Sequence, residues 1–164
     1  MTYLSRFLNS AAVKPAVLLV TAVACIGLAS GQAPRKSAAS EEQPFFHEYR
    51  GVEMGWAAED VRKKLGAPAD KGDEQDFYVF GEKETAQILY DKATHKVVAI
   101  SVDFMNGASS VLTPQQVFGA EIDAKPDGSK YKLIRYPKAG YWVSYSRTAG
   151  DSPIITVTLQ RIGQ

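Results

Sequence analysis

Apolar positions along the chain fall into two regimes. From Pro15 to Ser30 they run unbroken by charge, as PAVLLVTAVACIGLAS. From Gly51 onward they recur at the spacings of two, or of three to four, that mark strands and helices. The stretch GWAAEDVRKKLGAP, Gly55 to Pro68, is the plainest helical case. Ala58, Val61 and Leu65 form one stripe. Glu59 and Asp60 sit at the positive end of the helix dipole, and Arg62, Lys63 and Lys64 at the negative end. Gly66 suits a left-handed cap and Pro68 forbids continuation. Ala57 is a poor N-cap. The pattern predicts a helix of about ten residues, too short to stand alone, so it must lie on something.

Three runs rich in β-branched and aromatic residues follow: DFYVFG (Asp76–Gly81), TAQILYD (Thr85–Asp91) and KVVAISVDF (Lys96–Phe104). Short polar turns, EKE and KATH, separate them, which predicts an antiparallel meander. The order then recurs. LTPQQVFG (Leu112–Gly119) opens with Thr113 as N-cap and Pro114 at the first helical position. KYKLIRY (Lys130–Tyr136), GYWVSYS (Gly140–Ser146) and PIITVTLQRI (Pro153–Ile162) read as strands. Val61 and Val117 are 56 residues apart, as are Gly72 and Gly128. The repeat is one of pattern rather than of residue identity. The predicted fold class is α+β: short helices packed on one face of an antiparallel sheet of about six strands, with two tandem helix-plus-three-strand units as its finer form.

The charge-free apolar run changes the picture of where this domain works. It follows Arg6 and Lys14 and is short for a membrane span, which needs about 20 residues. A basic start, an apolar stretch and the small residues Ala29-Ser30-Gly31 read as a secretory signal over 1–31. Cys25, the only cysteine, offers a second reading, because TAVAC loosely resembles a lipobox and makes Cys25 a lipidation candidate. An uncleaved anchor is a third reading, and all three place the body outside the cytoplasm, in the periplasm or outer envelope. Residues 32–43, poor in apolar side chains, read as a flexible tether, and 44–164 as the domain.

Removing Arg6 and Lys14 leaves 17 basic against 18 acidic residues, a near-neutral body. That balance argues against a nucleic-acid partner, and leaves the membrane to the N-terminal segment alone. With no cysteine in the domain, no disulfide or thiolate metal site is expected, and no cofactor.

The helix stretch also resembles the signature of the SmpA/OmlA (BamE-like) family, loosely Gly-Met-Thr-x-x-x-Val-x-x-x-Leu-Gly-x-Pro. Gly55, Val61, Leu65, Gly66 and Pro68 match, whereas Trp56 and Ala57 replace the usual Met and Thr. The resemblance covers about Gly51 to Phe104. It implies a small envelope lipoprotein that assists outer-membrane protein assembly. Two such units in tandem would resemble the beta-lactamase inhibitor protein, which implies an enzyme bound on a sheet.

Little in the chain points to catalysis, and the expectation is a non-enzymatic module. His47 and His95 lie in a run-in and a turn with no partner acid in sight. ADKGDEQD carries Asp70, Asp73, Glu74 and Asp76, whose spacing does not match a calcium loop and reads as a solvated connection. The aromatic strands carry the stronger signal. In GYWVSYS, Tyr141, Val143 and Tyr145 share one face and Trp142, Ser144 and Ser146 the other. With the first set on the helices, Trp142 stands on an open face, and Tyr78, Phe80 and Tyr136 are expected to join it as anchors for another envelope protein. The alternative function is an inhibitor-type or small-ligand module acting on a soluble extracytoplasmic hydrolase.

Overall fold

The computed structural model describes residues 43–163. The expected signal segment, Cys25 and nearly all of the tether lie outside the described residues. An α+β fold with strands dominant is what forms. In chain order it runs β1 (Glu48–Tyr49), β2 (Val52–Glu53), α1 (Ala58–Leu65), β3 (Asp70–Lys71), β4 (Gln75–Gly81), β5 (Glu84–Tyr90), β6 (Val97–Phe104), α2 (Pro114–Phe118), β7 (Lys130–Tyr136), β8 (Tyr141–Arg147) and β9 (Ile155–Arg161).

Helix α1 forms where its stripe requires. Ala57 makes no side-chain cap, and its place is filled by tertiary structure: the Ala58 amide donates to the His95 carbonyl, 3.0 Å away. Gly66 ends the helix at φ 90°, ψ −168°, a positive φ but with an extended ψ, rather than the left-handed conformation expected. Helix α2 has the full capping box: Thr113 accepts from the Gln116 amide, and the Gln116 side chain accepts from the Thr113 amide. Its Gly119 cap is left-handed, at φ 69°.

Seven strands form one antiparallel sheet in the order β3-β4-β5-β6-β9-β8-β7. Strands β4–β6 and β7–β9 are two meanders, and they join through their last strands. Ala99 pairs with Gln160 at one end of this seam and Phe104 with Ile155 at the other. Read inward from either edge, with the short β3 set aside, the sheet presents first, second and third strand of a meander. The helices supply Ala58, Val61, Val117 and Phe118 to a core that also holds Ile88, Ile100, Val143, Val157 and Leu159. Sealing each large aliphatic side chain contributes about 1.5–3 kcal/mol.

Two elements were not expected. A hairpin, β1–β2, turns at Arg50 and Gly51, which both have positive φ (51° and 77°), and it carries Tyr49 and Val52 into the core. Strand β3 occupies part of the stretch expected to be a solvated connection. In that stretch Asp76 is fully buried, the reverse of its expected exposure.

Candidate protein-binding surface

Which residues face away from the helices follows from one ion pair. Arg62 of α1 donates to both carboxylate oxygens of Asp76, from Nε at 2.8 Å and from NH2 at 3.0 Å. The Tyr90 hydroxyl donates to the same carboxylate at 2.8 Å, and the Gly72 amide completes the shell at 3.3 Å. This draws the first inward residue of β4 to the helix side. Side chains alternate along a strand, so Tyr78 and Phe80 follow it in and Phe77 and Val79 point out. Burial pushes the Asp76 carboxyl up, but the bonds from Arg62 and Tyr90 outweigh it and hold the group below its ordinary range. Burial, followed by the bond to Asp76, raises the Tyr90 hydroxyl well above the normal tyrosine value.

At the far edge the register decides the same question. Arg135 pairs directly with Trp142, and Leu133 with Ser144, so Tyr131, Leu133 and Arg135 share the face of Trp142. Three of the four expected anchors therefore need correction. Tyr78 and Tyr136 are core residues, 2% and 3% exposed. Phe80 is partly buried on the helix side, stacked on Tyr78 at 5.7 Å and edge-on to Tyr49 at 5.8 Å. Only Trp142 of the four stands on the open face, partly exposed. Both β4 and β7 carry aromatics on each side, so hydrophobicity alone did not distinguish the faces.

Among the described residues no element covers this face. Its centre is a field of small polar side chains: Gln87, Ser101, Thr158 and Ser144 form one cross-strand row, and Thr85, Asp103, Thr156 and Ser146 the next. Two hydrogen bonds lock the rows across the seam, Ser101 Oγ with Thr158 Oγ1 at 3.0 Å and Thr156 Oγ1 donating to Asp103 Oδ1 at 2.6 Å. The margins are apolar. Phe77 and Val79 lie on the β4 side, with Val79 54% exposed. Tyr131 and Leu133 lie on the β7 side, 55% and 39% exposed, next to Trp142. Sequence reading missed Tyr131, Leu133, Phe77 and Val79, and the Arg135–Trp142 pairing is the relation that finds the first two.

On the helix side a second polar cluster braces the β1–β2 hairpin. The Tyr49 hydroxyl and the Arg50 guanidinium both donate to Glu84 Oε1, and the Arg50 guanidinium sits 4.1 Å above the centre of the Phe80 ring. Burial first, and then the bond to Glu84, pushes the Tyr49 hydroxyl far above its usual value.

Clefts occur away from the open face. One of about 370 Å³ lies at the start of α1, lined by Ala57, Arg62, Asp73, Thr94 and His95. Another of about 260 Å³ lies beside the β4–β5 turn, lined by Phe80, Lys83, Glu84 and Ala108. His95 holds a turn at φ 51°, where its amide donates to Asp91 and its carbonyl accepts from α1. His47 is exposed beside the Phe45 carbonyl. Among the described residues no cluster of three or more His, Cys, Asp or Glu side chains is arranged to hold a metal.

Comparison with models of known families, with characterised proteins and with solved structures finds no match to this chain.

Proposed function

We propose that this chain is a non-enzymatic envelope module that binds another envelope protein through the open face of its sheet. The observation that carries the reading is the margin of Trp142, Tyr131, Leu133 and Arg135, grouped by strand register on a face that no helix among the described residues covers. Aromatic and arginine side chains around a desolvatable centre are what protein-binding hot spots use. In the central polar field two pairs, Ser101 with Thr158 and Thr156 with Asp103, are already bonded to one another, and short side chains of this kind lose little rotamer freedom when a partner covers them. Export by the N-terminal segment, with Cys25 lipidated or removed, and kinship with the SmpA/OmlA-like assembly proteins belong to this same reading.

A second reading keeps the face and changes the partner. The order α1, β4–β6 then α2, β7–β9, joined in one continuous sheet, supports a tandem of two helix-plus-three-strand units. That arrangement is the one the inhibitor-type resemblance implies, and it makes the target a soluble hydrolase.

The test is capture in the native envelope. The chain carries a C-terminal tag, is crosslinked in cells, and its co-purifying proteins and mature N-terminus are identified by mass spectrometry. Stoichiometric recovery of an outer-membrane assembly component supports the first reading, and a soluble hydrolase supports the second. Recovery of no protein in stoichiometric amount overturns both.

A further inference from the structure

The near-neutral charge of the chain conceals a separation. From Lys130 to Arg147 there are five basic residues and no acidic one, whereas the other described residues hold ten basic and sixteen acidic. This basic stretch is the β7–β8 hairpin, and β7 is the outer strand of the sheet. Among the described strands only β8 pairs with it. Among the described residues no further backbone hydrogen bond reaches Lys130 to Arg135. From Lys130 to Arg135 this strand thus presents every second amide and carbonyl outward, unlike the two-residue β3 at the opposite edge.

We propose that β7 receives an extended acidic segment of a partner protein as an eighth strand. Charge selects the occupant. Tyr131, Leu133 and Arg135 point to the open face, and Lys130 and Lys132 to the helix side. The Lys132 ammonium lies 5.2 Å from the centre of the Phe118 ring, and that of Lys130 lies 4.0 Å from Glu121. Both ammonium groups end long flexible stems that reach past the edge. A planar anionic surface meets one side of a sheet, whereas a strand laid along the edge meets both. A second copy of this chain is disfavoured there, because β7 against β7 brings together two hairpins of the same positive sign, with no acidic residue from Lys130 to Arg147 on either. Charges that keep a basic edge away admit an acidic one, which is selectivity by repulsion as well as attraction. The added strand would extend the open face with its own side chains beside Tyr131 and Leu133, so the inference rests in part on the reading of that face as a binding surface.

The experiment uses fluorescein-labelled octapeptides titrated with the full chain at low salt and followed by anisotropy. An alternating Val-Glu peptide is expected to bind at least about tenfold tighter than a Val-Lys peptide. The double change Lys130→Glu and Lys132→Glu reverses that preference without lowering Tm. N-methylation of one alternate set of peptide amides abolishes binding, and methylation of the other set leaves it within about twofold, the signature of a one-sided backbone ladder. Trp142→Ala leaves peptide affinity within about twofold. Equal affinity for both peptides, or indifference to N-methylation, overturns strand addition while leaving the envelope capture to judge the open face. Loss of peptide binding in Trp142→Ala with retention in the lysine variant also overturns it, and assigns the peptide to the face instead.

Discussion

Arg62 and Asp76, fourteen residues apart in sequence, hold each other through two hydrogen bonds of 2.8 and 3.0 Å, with the carboxylate sealed from solvent and the guanidinium nearly so. Removing Arg62 leaves the Asp76 carboxylate buried without its countercharge. Arg62→Ala is expected to cost about 3 kcal/mol, because the Asp76 charge keeps only Tyr90 and Gly72. Replacing both residues by apolar ones of similar volume should recover most of that loss. Urea unfolding of the single and double variants checks this, and a double variant as unstable as the single one would count against the pair as drawn.

The two tyrosines beside this pair should behave oppositely. Tyr90 donates to Asp76, so Tyr90→Phe removes a charge-assisted bond and is expected to destabilise by about 1.5–3 kcal/mol. Tyr78 is equally buried, but its hydroxyl has no hydrogen-bond partner among the described residues. Tyr78→Phe should therefore be neutral or stabilising by up to about 1 kcal/mol. Thermal melts of the two variants side by side decide it. A fall in Tm for Tyr78→Phe would mean the hydroxyl has found a partner.

Stability should hold a plateau and fall at both ends of the pH scale. The folded pKa of Asp76 is lowered from the ordinary value of 3.8, so its contribution is present above that value and is lost as pH falls through the folded one. Asp91, lowered to about 2 by the Thr94 amide and hydroxyl and by Arg161, acts in the same direction but is exposed and counts for little. Tyr78, pushed up to about 12 by burial and the Asp76 charge, and Tyr90, raised further, act in reverse. Their contribution is complete below pH 10, the ordinary tyrosine value, and declines as pH climbs toward the folded values. Denaturant midpoints across pH 2–12 should show loss below about pH 4 and above about pH 10. A midpoint rising steadily through pH 11 would contradict the burial of these hydroxyls.

Exposed and buried aromatics on neighbouring strands separate binding from folding. Trp142→Ala, or Tyr131→Ser with Leu133→Ser, should abolish capture of the partner with a stability change within roughly 1 kcal/mol. Tyr136→Ala, one residue along from Arg135 but in the core, should cost about 3–5 kcal/mol. Crosslinking yield and Tm measured on the same preparations distinguish them. A large Tm drop for Trp142→Ala would make it a packing residue rather than an anchor.

At Gly119 a side chain would meet both backbone strain and an aromatic ring. Its φ of 69° and the Phe45 ring, which lies where a Cβ would sit, both act against substitution. Gly119→Ala is expected to lose about 1–2 kcal/mol from the left-handed conformation, and more from displacing Phe45. With Phe45→Ala added, the extra loss should disappear while the conformational part persists, which a double-mutant cycle reads directly.

Much of the architecture was legible because the local signals agree with the tertiary ones. The spacing of Ala58, Val61 and Leu65 marked α1, the Thr113-Pro114 start marked α2, and β7 has the bounds its alternation predicts. The β1–β2 hairpin escaped because two-residue strands show no period, and because a turn with Arg50 at positive φ lacks the Asn-Gly or Asp-Gly signal. Of the four expected anchors, only Trp142 lies on the open face where the sequence put it, since its strand alternates apolar with small polar residues. The faces of β4 and β7 were misjudged, because each alternates one aromatic set with another. What orients them is nonlocal: a guanidinium on α1 for β4, and the register against β8 for β7.

The seam between β6 and β9 also dictates an order of events during synthesis. Ser101 meets Thr158 across 57 residues of sequence, and β9, the last of the described strands in chain order, lies beside β6 in the middle of the sheet. Until it emerges, the first meander keeps a bare apolar edge along Val97 to Phe104, and the β7–β8 hairpin has no sheet to join. Domains built outward from their first elements can fold while the rest is still being made. This one cannot close from its N-terminal end, so a nascent or truncated chain ending before Ile155 should remain a client for chaperones rather than a half-folded domain.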